Sequence, residues 1–199
     1  GKIARSLYPE GKLIGHVRDS QKAVRETKEL LGQPGSQTLF EAAFSSGDTL
    51  VRADIFERDH AGRMRIVEVK ASTSVKDVHL VDCAIQTWIT EQSGCHIDEI
   101  YLAHVDSSFV YAGDGNYQGL LAERELTTEV RALVEQVQEW VESAKQAVAR
   151  EKPAIEPGTQ CKSPYVCPFF DVCNEGGPEY PISILPGKRA EKAQLLEDG

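Results

Sequence analysis

Read for its apolar positions, the chain divides into segments of two periods. Residues 38–44, 49–57 and 64–71 are rich in Val, Ile, Phe and Leu and are separated by Ser45-Ser46-Gly47-Asp48 and by Arg58-Asp59-His60-Ala61-Gly62-Arg63. Strand-forming runs joined by such short turns predict an antiparallel three-strand meander. Before it, residues 19–31 read as a polar helix with Ala23, Val24, Leu30 and Leu31 as its apolar contacts, stopped by Gly32 and Pro34. After it, Val78, Val81, Ile85, Trp88 and Ile89 fall at helical spacing over residues 74–93, with Gly94 as the stop. A strand is expected over 99–105 and a further one over 109–112. Thr127 or Thr128 should cap a last long helix whose Val130, Leu133, Val134, Val137, Trp140, Val141 and Ala144 form one apolar stripe.

The order α-β-β-β-α-β-(β)-α predicts an α/β fold, with a mixed central sheet flanked by helices. Beyond Arg150 the prolines multiply, from Pro153 to Pro186, and a loop-rich, cysteine-containing cap is expected there. The division predicted is a core over residues 1–155 and the cap over 156–199.

Composition narrows the picture. A chain of 199 residues with 41% hydrophobic content can bury one core and a small appendage. No apolar run approaches the roughly 20 residues that cross a bilayer, and no charged-then-apolar leader opens the chain, so a cytoplasmic protein without a membrane partner is expected. The start at Gly1 and the charged helical segment at 187–199 suggest a piece of something longer, whose further domains would be partners. A net charge of -9 argues against a protein that coats nucleic acid by bulk attraction. It leaves room for an enzyme whose carboxylates hold a cation. Five cysteines without a secretion signal read as reduced thiols or metal ligands.

An acidic residue two before a lysine occurs three times, as Glu10-Gly-Lys12, Glu26-Thr-Lys28 and Glu68-Val-Lys70. The first lies in a glycine turn and the second on a polar helix. Only Glu68 and Lys70 sit in an apolar strand, where charge is costly unless paired or bound to a cation. Folding the hairpin about Ala61 sets Asp54 opposite Glu68 and Arg52 opposite Lys70. Opposed side chains stand about 4.5–5.5 Å apart at Cβ, and two carboxylates that close call for a cation between them. The other face would carry Val51, Ala53, Ile55, Val67, Val69 and Ala71, all apolar.

Arg52-Ala53-Asp54-Ile55 followed by Ile66-Val67-Glu68-Val69-Lys70-Ala71-Ser72 resembles the motif pair of RecB-like PD-(D/E)XK nucleases. The resemblance implies a restriction-endonuclease-like αβββαβ core and hydrolysis of DNA phosphodiester bonds, as an exonuclease on single strands or ends. It implies that Asp54, Glu68 and the carbonyl of Val69 hold Mg²⁺ or Mn²⁺ and that Lys70 serves the attacking water. Chemically, the cation neutralises charge gathering on the phosphate and the ammonium holds the water. Glu41 resembles the family's additional acidic ligand, and Gln86 the catalytic glutamine of its next helix. The tyrosine expected four positions later is Thr90 here, and His16 is a weak stand-in for the upstream histidine. His79, Asp82 and Gln86 share one helix face and could line a DNA channel, with Arg52 and Lys76 at the phosphate backbone. The alternative is a catalytically inactive module of the same fold that binds nucleic acid or a partner domain.

Cys161, Cys167 and Cys173 follow one another with five residues between neighbours, unlike the paired CxxC knuckles of zinc sites. This triplet resembles that of iron–sulfur nucleases, such as the CRISPR-associated RecB-like exonucleases and the AddB nuclease domain. Most of the chain, from Gly1 through the cysteine segment, is similar to the nuclease-like N-terminal part of large bacterial proteins. The resemblance implies a [4Fe-4S] cluster that staples the cap, with zinc or plain thiols as alternatives. The fourth ligand would be Cys83, Cys95, a residue outside this sequence, or nothing at all, and Cys83 and Cys95 also read as small buried hydrophobes. A redox role finds no flavin or nicotinamide fingerprint.

Overall fold

In the computed structural model, residues 1–15, 18–151, 155, 157–163, 165–176 and 194–195 are described. The meander forms as expected. Strands β2 (Gln37–Ser46), β3 (Thr49–Arg58) and β4 (Met64–Lys70) run antiparallel. The second turn is built by Asp59, whose carboxylate accepts from the amides of Ala61 and Arg63, and by Gly62 in the left-handed region (φ 86). That turn fixes the register: Ile55 faces Val67 and Arg58 faces Met64, which is the hairpin folded about Ala61.

The β3–β4 ladder ends at Ile55 and Val67. Beyond it Asp54 turns its carboxylate across the gap and accepts from the Val69 amide at 2.9 Å. The expected cross-strand pairs Asp54–Glu68 and Arg52–Lys70 are therefore not part of the ladder; Arg52 lies opposite Ala43 of β2 instead. β3 stays with β2 to its start, whereas β4 departs to pair with β5 (Glu99–Val105).

Helix α3 (Asp77–Gln92) is the crossover between the parallel β4 and β5. Strand β6 (Leu121–Glu125) runs antiparallel to β5, and the short β1 (Lys12–Leu13) lies parallel to β2. The result is a six-stranded mixed sheet in the order β1-β2-β3-β4-β5-β6. Three further helices belong to the scaffold, α1 (Lys2–Ser6), α2 (Ser20–Leu31) and α4 (Thr127–Ala149). Residues 109–112 do not form the expected strand; Tyr111 stacks on Tyr117 in the loop before β6. Asp19 caps α2 by accepting from the Lys22 amide. Thr127 does open α4, but its hydroxyl accepts from the Ile100 amide and so ties the helix start to β5.

Leu39, Phe56, Ile66, Ile100 and Leu102 of the sheet bury against Cys83 and Ala84 of α3 and Val130 and Val137 of α4. Each large apolar side chain taken from water there contributes about 1.5–3 kcal/mol. Phe40, Ile55, Val67 and Ala103 form a second cluster with Ala4 of α1 and with Tyr8. The two clusters reveal a slip in the alternation. Leu39 and Phe56 face the first cluster and Phe40 and Ile55 the second, yet Ala42 and Ala53 face the first again. The residues at the slip are Glu41 and Asp54, and Glu41 has a left-handed backbone (φ 57) in mid-strand. The single apolar face expected for Val51, Ala53, Ile55, Val67, Val69 and Ala71 is thereby divided. Val51 and Ala53 pack in the first cluster, Ile55, Val67 and Val69 in the second, and Ala71 is exposed past the strand end.

The chain divides into two compact units, Gly1–Glu142 and Ser143–Gly199, with the break inside α4. The second unit contains a 3-10 turn (Thr159–Lys162) and a short helix α5 (Phe170–Cys173). No helix among the described residues is long and apolar enough to cross a membrane.

Candidate active site

On β4 the residues Met64, Ile66, Glu68 and Lys70 point alternately with Arg65, Val67 and Val69, so that Glu68 and Lys70 share the face that Ile66 buries against α3. Helix α3 answers with Asp82 and Gln86, one turn apart. The Gln86 amide nitrogen donates to Glu68 Oε2 at 2.7 Å and approaches Asp82 Oδ1 at 3.5 Å. Lys70 Nζ stands 2.6 Å from Glu68 Oε1 and 2.5 Å from Asp82 Oδ2. Asp54, at the slip in β3, completes the site from the other side.

Glu68 is only 6% exposed. Burial raises its carboxyl above the ordinary glutamate range, and the charge of Asp54 raises it further, against the opposing pull of Lys70 and Gln86. Lys70 is raised as well, which favours its charged form where the same direction disfavours that of Glu68. Burial acts to lower it, but its bonds to Asp82 and Glu68 outweigh burial and hold the ammonium charged. The asymmetry has a plain cause: Lys70 serves two carboxylates, whereas Glu68 is the deeper partner and has a second acid beside it.

The expected ligand trio of Glu41, Asp54 and Glu68 is not gathered. Glu41 Oε2 lies 3.7 Å from the Arg52 guanidinium, which also donates to the Ile14 carbonyl at 2.9 Å. Arg52 is thus engaged within the protein and is not presented to a phosphate backbone. Among the described residues no three His, Cys, Asp or Glu side chains come together as a metal-holding group. Glu41 remains notable for its backbone, because non-glycine residues in strained conformations concentrate at functional sites.

His79, Asp82 and Gln86 do share one face of α3, but not as a channel wall. His79 is buried, its Nδ1 accepts from the Lys76 amide at 3.2 Å, and burial with Lys70 and Lys76 lowers its pKa. It closes the first helical turn as a neutral ring. Asp82 is paired with Lys70, and of Arg52, Lys76, His79, Asp82 and Gln86 it is Lys76 that is exposed. Thr90, at the position of the expected tyrosine, is fully buried. His16 lies outside the described residues. What the sequence did not show was the Lys70–Asp82 pair, since nothing in a strand motif says which helix residue will meet its lysine.

Cys83 is fully buried beneath the site. Burial, then the charges of Glu68, Asp82 and Asp54, push its thiol up to about 12. Cys95 is half-buried and packs against the first cluster, so both behave as the small hydrophobes expected. In the second unit Cys161, Cys167 and Cys173 are free thiols, the first buried and the others half-buried. Their backbones are linked locally: the Cys167 amide donates to the Cys161 carbonyl at 2.7 Å, and the Cys173 amide to Phe169.

No protein family's model matches the chain, and no curated protein matches it. Among solved structures, the one titled "Crystal structure of SSO0001" is 16% identical, with 77% of this chain and 85% of that chain covered at a TM-score of 0.26, a likeness too loose to carry an argument.

Proposed function

We propose that this chain hydrolyses DNA phosphodiester bonds with Mg²⁺ or Mn²⁺, acting as an exonuclease on single strands or ends. The observation that supports it is the buried Glu68 carboxyl, set beside Asp54 and between Lys70 and Gln86. A buried carboxylate whose proton affinity is raised by burial and by a neighbouring acid is stabilised in its charged form by a divalent cation. The donor chemistry fits such an ion: hard oxygens from Asp54 and Glu68, with the Val69 carbonyl on the same stretch. Glu41, held by Arg52, would join only after rearrangement.

A bound cation would supply charge neutralisation at the phosphate and acidify a water. The chain's own residues do the rest. Lys70, 28% exposed, would donate a hydrogen bond to the attacking water from the mouth of the site. Gln86 fixes the orientation of Glu68, and Asp54, held by the Val69 amide, keeps its second oxygen for the site. Lys76, exposed at the start of α3, would meet a phosphate. Cys161, Cys167 and Cys173 would serve as soft ligands of a [4Fe-4S] cluster or zinc that orders the second unit. Iron, sulfide and zinc analysis of the purified chain, with Cys167→Ser as control, tests that part.

The alternative, an inactive module that binds nucleic acid or an adjoining domain, draws on Lys70 being fully engaged by two carboxylates. Cleavage of end-labelled single- and double-stranded DNA in Mn²⁺ and Mg²⁺ separates the two. Wild type should cut, and Glu68→Ala and Lys70→Ala should lose about 100-fold or more, the scale of a positioned acid–base group. DNA bound by folded wild type without turnover at any metal concentration would establish the module instead.

A further inference from the structure

Four side chains at the site close a ring. Glu68 bonds Lys70 at 2.6 Å, Lys70 bonds Asp82 at 2.5 Å, Asp82 is 3.5 Å from the Gln86 amide nitrogen, and that nitrogen bonds Glu68 at 2.7 Å. The ring arises because residues two apart on a strand face and residues four apart on a helix face have similar spacings. Its members differ in depth. The Glu68 side chain is 8% exposed, Lys70 28% and Asp82 41%, so the ring runs from the interior to the rim.

We propose that Asp82 is a positioning residue that seats the Lys70 ammonium at the rim, so that a divalent cation can take its place beside Glu68. This rests on the reading of Asp54 and Glu68 as a cation site. The ammonium and the cation contend for the same carboxylate, Glu68, in a partly desolvated setting where like charges repel strongly. Without a second anion, Lys70 would remain on Glu68 and bar the site. Asp82 supplies that anion at 2.5 Å, so the ammonium is displaced by a small movement and not expelled into water. Asp82 thus acts on the cation through Lys70 and not as a ligand.

The test is a double-mutant cycle on Mn²⁺ affinity, read from the free-ion paramagnetic resonance signal of the full chain, with far-UV dichroism melts confirming that each variant is folded. Asp82→Asn should weaken Mn²⁺ binding roughly tenfold when Lys70 is present, as coupled neighbouring charges do. In a Lys70→Gln background the same substitution should change affinity by less than about threefold, the residue of a direct charge effect. Asp82→Ala stands in should the asparagine variant fold poorly. An equal loss in both backgrounds would make Asp82 a direct partner of the ion and overturn the proposal, as would no loss in either. Failure of the underlying reading looks different: wild type then binds no Mn²⁺, or Glu68→Gln binds as well as wild type, and the proposal falls with it.

Discussion

Gln86→Met separates the two jobs a buried amide can have. The glutamine is 6% exposed, its nitrogen donates to Glu68 at 2.7 Å, and its oxygen has no partner among the described residues. Methionine keeps the length and flexibility of the chain and removes both polar atoms. Losing a hydrogen bond to a charged group costs about 1.5–3 kcal/mol, while removing an unpartnered buried oxygen returns about 1–3 kcal/mol. The two nearly cancel, so stability of the metal-free protein should change by no more than about 1 kcal/mol, or about 4 °C in melting temperature for a chain of this size. Glu68 should nonetheless lose one of the two groups that draw its carboxyl down, and Mn²⁺ affinity should fall. Gln86→Glu is the contrast, since a further carboxylate about 4 Å from Glu68 costs up to about 4 kcal/mol in a partly screened site. Urea unfolding of the three proteins at pH 8 without metal gives the comparison. A loss above about 3 kcal/mol for the methionine variant would refute the reasoning, because it would mean that both ends of the amide hold the fold together.

Glu41 carries a left-handed backbone, so Glu41→Gly should leave stability within about 0.5 kcal/mol, where glycine in an ordinary strand interior costs about 1 kcal/mol. Urea midpoints measure it, and a larger loss would mean that the left-handed geometry carries no strain. Cys83, fully buried with its thiol pushed up to about 12, should resist iodoacetamide at pH 8 until the protein unfolds. Peptide mapping that found Cys83 labelled as fast as Cys167 in the folded protein would contradict this. Arg131 clamps α4 to α3 through two bonds to Glu91, at 2.8 and 2.9 Å, and Arg131→Met should cost about 2 kcal/mol. Burial acts to raise Glu91, but Arg131 and the Ile97 amide outweigh it, so its folded pKa is lowered. The stability it brings is present above the unfolded value, about 4.3, and is lost as pH falls through the lowered one. Melting between pH 3 and 7 should show that slope flattened in Glu91→Gln.

The meander and its register were legible because they are set locally. The turn centred on Ala61 fixes which residues face one another from Arg58–Met64 to Ile55–Val67, and over that stretch the apolar alternation says which side is buried. β5 was legible for the same reason, as a short run bounded by polar residues. The elements that escaped were those held by tertiary contact. β1 has two residues, β6 reads Leu-Ala-Glu-Arg-Glu, and neither has an apolar signature. Their strand form comes from pairing with β2 and β5. Thr127 shows the same limit at one side chain: the sequence marks it as a helix start, and only the neighbouring β5 turns its hydroxyl to the Ile100 amide. At the site, Glu68 and Lys70 stand as a charged pair in an apolar strand, and that anomaly is visible in sequence. The slip at Glu41 and Asp54 is not, because alternation is counted along one strand whereas the slip is shared by two.

The acidic balance of the chain also takes on a different meaning in three dimensions. Several bases of the kind a phosphate contact needs are engaged inside the fold: Arg52 by Ile14 and Glu41, Arg65 by Glu57 and Glu123, and Arg131 by Glu91. Lys70 lies between two carboxylates. The field around Asp54, Glu68 and Asp82 is consequently negative, and it repels a phosphate for as long as it is uncompensated. On the proposed reading, the divalent cation has two roles that a basic cleft would keep apart: it reverses the local charge so that the substrate can approach, and it then activates the bond. Binding and chemistry would share one switch, which gives an acidic chain a physical route to acting on DNA that its net charge of -9 does not suggest.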